Sequence, residues 1–367
     1  MKSISIYVEN ARLTPSSYYR LTQYFSPSEA RMHSVLPDCI YRLWHRQGKY
    51  GRMAFGMPLY VFYVFRTLRF LIGDALSIDG GTVIFSRAIV PRRMPALHKF
   101  LIRKLGKKNM LVWDFDDNIL ANRRIPLMDF RFFSEICDTI VVTGDNLLAL
   151  IDPAFSSKVR ILPTTDGDML NYDTAEIFSR RQALYSVEVR LVWVATATGL
   201  DYLRPVIPLL DETAKAVKEQ SGKKLSLHIV CNKPLKAKTS YVEVVNVRWG
   251  REVAKHEILN SHIGLMPLPD TEFTRGKGGF KLIQYMSAAM PVIASPVGIN
   301  NQIVTTDIGF LVNDNAQNGL TWKDAIMKMS SSWEYYVKLS QNAKERYDSF
   351  YSFDKNKDFW TKLVSVK

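Results

Sequence analysis

The chain has few of the residues that announce most kinds of chemistry. Its three cysteines among 367 residues, Cys39, Cys137 and Cys231, are odd in number and far apart. They outline neither a disulfide framework nor a Cys-x-x-Cys redox or zinc pair, so a reducing cytoplasmic setting is the simplest expectation. None of the six histidines falls at metal-ligand or nucleophile–base spacing. Gly-x-Ser-x-Gly and the phosphate-binding P-loop are both missing. Residues 8–15, which follow the first apolar run, hold no glycine, and this excludes the dinucleotide fingerprint of an NAD-dependent oxidoreductase. With no RNA-recognition signature, zinc finger or basic-region heptad, nucleic acid is not an expected partner. Residues 1–8 lack the apolar core and cleavage site of a signal peptide and read as a β-strand. Internal repeats and low-complexity tracts are absent too.

What is present is an α/β pattern long enough for two domains. Short β-branched runs lie at 3–8, 82–86, 110–114, 139–143 and 158–162. A second set lies at 190–195, 225–231, 242–247, 262–267, 291–295 and 309–312. Continuous apolar strands alternating with helical stretches indicate parallel sheets covered on both faces. The polar stretch Pro163-Thr-Thr-Asp-Gly-Asp-Met-Leu-Asn-Tyr-Asp173 separates the sets. It divides the chain into a domain over 1–165 and another over 166–345, followed by an aromatic helical tail over 346–367.

The most informative stretch is Arg275-Gly-Lys-Gly-Gly-Phe-Lys281, which runs into Leu282-Ile-Gln-Tyr-Met-Ser-Ala-Ala-Met-Pro291. Its glycines let backbone amides approach a ligand, and the helical pattern from Phe280 sets a positive helix pole beside three cations. A buried strand and a second loop, Pro296-Val-Gly-Ile-Asn-Asn301, follow. Two loop-to-helix turns at the carboxyl edge of a parallel sheet are where nucleotides bind. The bland alternative is a solvated basic loop before a core helix.

These residues, with Pro291-Val-Ile-Ala-Ser-Pro-Val-Gly298, resemble the donor-binding segment of the family 4 retaining GT-B glycosyltransferases, in the bacterial group 1 branch. The resemblance implies an α/β GT-B fold, with two Rossmann-like parallel-sheet domains facing across a cleft and a final helix returning to the first domain. It implies transfer of a sugar, with retention, from a nucleotide-diphosphate sugar to a glycan or lipid-linked acceptor in bacterial surface polysaccharide synthesis. No cofactor is implied, and the reaction is expected to be metal-independent. One departure stands out: two positions that usually hold glutamates are Gly276 and Gln284 here. Gln284 still offers an amide to a ribose diol, whereas Gly276 offers no side chain.

Without a metal, the protein has to supply positive charge and oriented amides to the departing diphosphate. Lys281 is the expected catalytic cation, with Lys277 second and Arg275 positioning the loop or the sugar. Gly298 and Asn300 belong to the adjoining donor-side loop. In Arg190-Leu-Val-Trp-Val-Ala-Thr-Ala-Thr-Gly199, Thr196 and Thr198 stand where the family usually has glycine and a basic residue. They hold phosphate through hydroxyls, or Thr198 merely caps the helix. Met110-Leu-Val-Trp-Asp-Phe-Asp-Asp-Asn118 ends a first-domain strand with three carboxylates. Asp116 or Asp117 is the candidate facing the sugar and the incoming hydroxyl. Helix capping and Mg²⁺ binding by Asp114, Asp116 and Asp117 are the competing readings. Ser17 and Arg20 are candidate contacts to the diphosphate or to a phosphorylated acceptor, or parts of a capped turn. A nucleotide-sugar epimerase on the same fold and a non-catalytic sugar-nucleotide-binding protein are the alternative functions.

Charge is uneven. Residues 1–165 carry a net +10 and the remainder +4 of the total +14, which implies an anionic partner for the first half. Arg42, Arg46, Lys49 and Arg52 precede an apolar run over 59–72 that Arg66 and Arg69 interrupt. At about 14 residues the run is short of the ~20 needed to span a bilayer. It reads as a core helix with snorkelling arginines, or as an in-plane surface giving peripheral contact with anionic lipid at the inner face of the cell membrane.

Overall fold

The computed structural model describes residues 3–313 and 319–365, apart from the side chains of Lys49 and Arg52. The chain forms two compact units. The first comprises Met1–Thr164, Gly276–Gly278 and Asp354–Lys367, and the second comprises Thr165–Arg275 and Gly279–Phe353.

Each unit is built on a six-stranded sheet whose paired strands are all parallel. In the first unit these are β1 (Ile4–Val8), β2 (Ala30–Ser34), β3 (Thr82–Ser86), β4 (Met110–Asp114), β5 (Thr139–Val142) and β6 (Val159–Ile161), in the order β2-β1-β3-β4-β5-β6. In the second they are β7 (Glu188–Val194), β8 (Lys224–Cys231), β9 (Glu243–Arg248), β10 (Ile263–Met266), β11 (Val292–Ala294) and β12 (Gly309–Leu311), in the order β12-β11-β10-β7-β8-β9. Both sheets are parallel, as the alternating pattern predicts, and both units are Rossmann-like, as the resemblance implies. Central strands such as β3 and β11 are buried along their whole length because helices cover both faces. One strand escaped the sequence pattern. Ala30–Ser34 reads ARMHS, with no β-branched residue, and occupies a sheet edge where strand propensity is weakly demanded.

Residues 354–365 pack with the first unit. Asn356 donates to the Pro163 carbonyl at 2.6 Å and to the Tyr24 hydroxyl at 3.2 Å, and the Trp360 ring lies 6.2 Å from that of Phe25.

The Lys49–Ser77 helix connects β2 to β3 by way of the short Asp38–Arg46 helix. Its inner face is held firmly: Tyr63, Thr67, Leu71 and Asp74 are buried. Asp74 accepts hydrogen bonds from the hydroxyls of Ser5 and Tyr7 and pairs with His33. Its outer face is apolar as well, with Met53, Met57, Val61, Phe65, Ile72 and Leu76 all exposed. The core-helix expectation is thus met on one face only. By length and composition Met53–Ser77 is apolar enough to cross a membrane. Its inner face is instead part of the first unit's interior, and a buried, multiply bonded Asp74 keeps it there.

Candidate functional site

In the second unit the sheet edge is set by three adjacent strands, β11, β10 and β7, whose carboxyl ends lie side by side. The turn after β7 is a 3-10 segment, Ala197–Gly199, that leads into a helix. The Thr196 and Thr198 hydroxyls face each other at 3.0 Å and neither caps the segment. The Ala197 amide donates to Asn232, a residue that no motif singled out.

After β10 the chain passes Glu272–Arg275 and enters the Phe280–Ser287 helix, whose cap is Gly279 at φ 67°. This helix is pinned to the sheet by Tyr285. The buried Tyr285 hydroxyl accepts from the Val194 amide at 3.1 Å, and its ring lies against Gly264, where any Cβ would collide with it. Lys281, half-buried on the first turn, is therefore carried by a rigid element. After β11 comes Gly298, at φ 57°. A Cβ there would strike the Arg275 carbonyl, so glycine is what lets the two turns meet. Asn300 is fully buried. Its amide donates to the Ser295 carbonyl at 3.0 Å and its Oδ1 has no protein partner. From 275 to 301 the sequence holds no Asp or Glu.

Two candidates are already engaged. The exposed Arg275 guanidinium forks onto Asp270 at 2.6 and 2.9 Å. Gln284 is buried and donates its amide to Asp166 at 2.5 Å. Burial pushes the Asp166 carboxyl up to about 6, partly offset by that amide. Asp166 was missed because its only sequence signal was membership of the polar linker. Residues 276–278, including Lys277, pack with the first unit. A Cβ at Gly276 would lie 2.6 Å from the Asn118 Cβ, which gives a steric reason for the missing side chain at this position.

The first unit's carboxyl edge is a set of ion pairs. Arg20 and Asp114 are each 1 % exposed. The Arg20 Nε donates to Asp114 at 3.1 Å, and its Nη1 to the Leu162 carbonyl. Burial works against the Arg20 charge, but Asp114 outweighs it and holds the guanidinium protonated. Arg20 is thus an interior cation whose donors are taken up within the unit, not a surface contact for phosphate. Ser17, also buried, serves the turn through its carbonyl, which accepts from Leu21 and Thr22.

Asp116 and Asp117 share Arg87, whose Nε donates to Asp116 at 2.6 Å and whose Nη2 donates to Asp117 at 2.9 Å. Arg87 adopts φ 53°, a left-handed conformation costly for a side-chain-bearing residue. It is held there by its N–H, which donates to the Asp114 carbonyl, and by the Trp113 indole, which donates to the Arg87 carbonyl. Glu9 completes the edge. It pairs with Arg124 at 2.7 Å and accepts from Tyr63 at 2.9 Å. Burial would raise the Glu9 carboxyl, but Arg124 and Tyr63 hold it below the usual range. Glu9, Arg87 and Arg124 went unnoticed in the sequence, although Glu9 and Arg87 carry the strand-end signal that marked Asp114–Asp117. The Asp turn is secured by Asn118, which accepts from Ala121, so neither Asp116 nor Asp117 is needed as a cap. Among the described residues no three His, Cys, Asp or Glu side chains gather as a metal-ligand set.

Residues 190–330 match the family model described as Glycosyl transferases group 1. No curated protein matches the chain in sequence. Several solved structures match it over nearly the whole of both chains. Sucrose-phosphate synthase from Thermosynechococcus elongatus is 13 % identical with a TM-score of 0.64, covering 99 % of this chain and 98 % of its own. HepE from Anabaena, in complex with UDP and glucose, is 10 % identical with a TM-score of 0.58 and full coverage of both chains. A glycosyltransferase from Rickettsia africae is 11 % identical with a TM-score of 0.58, covering 99 % and 97 %. The two Rossmann-like units are those of the GT-B fold.

Proposed function

We propose that this glycosyltransferase, with its group 1 domain on a GT-B fold, moves a sugar from a nucleotide diphosphate to a glycan or lipid-linked acceptor in bacterial surface polysaccharide synthesis. The observation that carries the reading is the convergence of the three turns after β7, β10 and β11. Their backbone amides, the Thr196 and Thr198 hydroxyls and Lys281 belong to this sheet edge, and from 275 to 301 the chain holds no acid. That combination suits a diphosphate, which leaves as a concentrated anion. Lys281 stabilises the leaving group with Lys277 as the second cation, Arg275 positions the loop or the sugar, and Gln284 with Asp166 presents polar groups to the ribose. Asp116 and Asp117 face the acceptor side. In this reading the configuration is retained and no metal takes part, so activity persists in EDTA. Loss on chelation that Mg²⁺ or Mn²⁺ restores would reassign Asp114, Asp116 and Asp117.

HepE, which shares the fold, binds UDP and glucose, and UDP-sugars are therefore the first donors to try. Thermal-shift screening against UDP-, GDP-, ADP- and dTDP-sugars, followed by nucleotide release with and without membrane lipid extract, tests the proposal. Donor binding with no acceptor-dependent release would favour a non-catalytic sugar-nucleotide-binding protein, a reading supported by the missing side chain at Gly276.

The reading places the enzyme in the cytoplasm, peripherally at the inner face of the membrane. Support comes from the first half's net +10, from exposed Arg42 and Arg46, and from the exposed apolar face of Met53, Met57, Val61 and Phe65. Each basic residue near an anionic surface contributes roughly 1 kcal/mol, and the contribution is weakened by salt. Flotation with anionic vesicles should capture the wild type at low salt and much less of an Arg42→Glu/Arg46→Glu variant. Equal capture would remove the membrane claim.

A further inference from the structure

The inner face of the Thr174–Tyr185 helix presents Ile177, Arg181 and Tyr185 at four-residue spacing, all buried. The middle one is a cation sealed from solvent, and a buried charge is costly unless it is met by hydrogen bonds. Arg181 donates from Nε to the Leu259 carbonyl and from Nη2 to the Ile258 carbonyl, both at 3.2 Å, and from Nη1 to the Ala289 carbonyl at 2.8 Å. Ile258 and Leu259 close the Arg251–Leu259 helix, and Ala289 lies just past the Phe280–Ser287 helix. The guanidinium thus sits at the negative poles of two helices, where a cation is favoured. Its own helix is tied to the sheet by His262. Burial pushes that imidazole down to about 3, so it is neutral. Its Nε2 donates to the Arg181 carbonyl at 3.0 Å, and its Nδ1 accepts from the Arg190 amide at 2.9 Å.

The two ends of the Phe280–Ser287 helix are held very differently. Before it come Gly276, Gly278 and Gly279, a stretch whose backbone freedom lets the helix start shift. After it the chain is clamped. The Tyr172 hydroxyl donates to the Ser287 carbonyl, and Arg181 holds the Ala289 carbonyl. Ala289 itself sits at φ 49°, a left-handed conformation that a residue with a Cβ rarely adopts. Tyr285 fixes the middle of the helix against the sheet, but the end contacts set its place along its own axis. Lys281 lies six residues before Ser287, about 9 Å along that axis. With eight residues the helix moves as one body, so a shift at the clamp reaches Lys281 undiminished.

We propose that Arg181, assisted by Tyr172, is a positioning residue that sets where Lys281 meets the second phosphate of the donor. The proposal rests on the reading of Lys281 as the cation that stabilises the leaving group, and adds a control point outside the three binding turns. Misplacing a catalytic group by about 1 Å can cost on the order of a hundredfold in rate, so the clamp has a large effect to exert.

UDP, GDP, ADP and dTDP, each measured against its monophosphate by calorimetry, are the probes. The readout is the preference for diphosphate over monophosphate, which a merely structural role would leave unchanged in folded protein. Lys281→Ala should lower that preference about tenfold or more, and Arg181→Met about fivefold or more, with monophosphate affinity held within about twofold. Added to Lys281→Ala, Arg181→Met should bring less than about a twofold further loss, because the two changes act through one contact. Tyr172→Phe removes a single hydroxyl and should lower the preference about two- to threefold, so it carries the test if circular dichroism shows that Arg181→Met does not fold. A wild-type preference in Arg181→Met, or in Tyr172→Phe where that variant carries the test, would make the clamp purely structural and overturn the proposal. Losses that multiply on top of Lys281→Ala would also overturn it, since the clamp would then act elsewhere. If Lys281→Ala keeps the wild-type preference, or no diphosphate binds, the donor-side reading of Lys281 itself fails, whatever Arg181→Met does.

Discussion

The carboxyl edges of the two sheets handle charge in opposite ways. In the first unit, Asp114, Asp116, Asp117 and Glu9 each have a guanidinium partner within 3.1 Å, and Arg20–Asp114 is sealed from solvent. In the second, the segment from 275 to 301 has three cations and no acid, and the fork of Arg275 onto Asp270 lies on the surface. A neutralised edge is rigid and positions neutral groups. An edge of cations, hydroxyls and helix starts is complementary to an anion that arrives from outside. Charged residues at the two edges thus differ in the acids that the chain places beside them: three aspartates within Asp114–Asp117 in the first unit, and none from 275 to 301 in the second.

The largest expected effect breaks the first edge. Replacing Arg20 with Leu leaves Asp114 buried and uncompensated, at a cost of about 3–5 kcal/mol in unfolding free energy. The double change Arg20→Met/Asp114→Leu should recover most of that. A single variant that unfolds within 1 kcal/mol of wild type would show that the pair is not what secures this edge.

Lys281→Ala probes the second edge. It should lower kcat about a hundredfold, or roughly 3 kcal/mol of transition-state stabilisation, with little change in melting temperature. A falling melting temperature with unchanged kcat would make Lys281 structural.

Asp166 is the second unit's buried carboxylate with an amide for its partner. Its folded value of about 6 lies above the ordinary 3.8, so the unfolded chain ionises first as pH rises. The folded state is then penalised above pH 6 and recovers as pH falls towards 4. Asp166→Asn should be more stable than wild type at pH 8 by on the order of 2–3 kcal/mol, with the difference vanishing near pH 4. Parallel stability curves for the two proteins would contradict the shift.

Arg275→Ala should change least. Its partner Asp270 is as exposed as it is, so the melting temperature should hold, and donor KM should rise less than for Lys281→Ala. A loss equal to that of Lys281→Ala would show that the Asp270 fork opens onto the donor.

The sequence by itself determined the alternation of strands and helices, the two parallel sheets and the glycine-rich turn before Phe280. Each rests on local periodicity or on backbone freedom within a few residues. The edge strand Ala30–Ser34 was illegible because an edge position makes little demand on propensity. Other features were decided only when distant segments met. Arg20 found Asp114 across 94 positions, Gln284 found Asp166 across 118, and Gly276 came to lie against Asn118. The Lys49–Ser77 helix shows the same limit. Its composition announces apolar surface all round, but only the packing of Tyr63, Leu71 and Asp74 decides which side is interior. Which charges are paired inside the fold depends on the residues that the tertiary structure brings together, and no local window of sequence contains a partner 94 or 118 positions away.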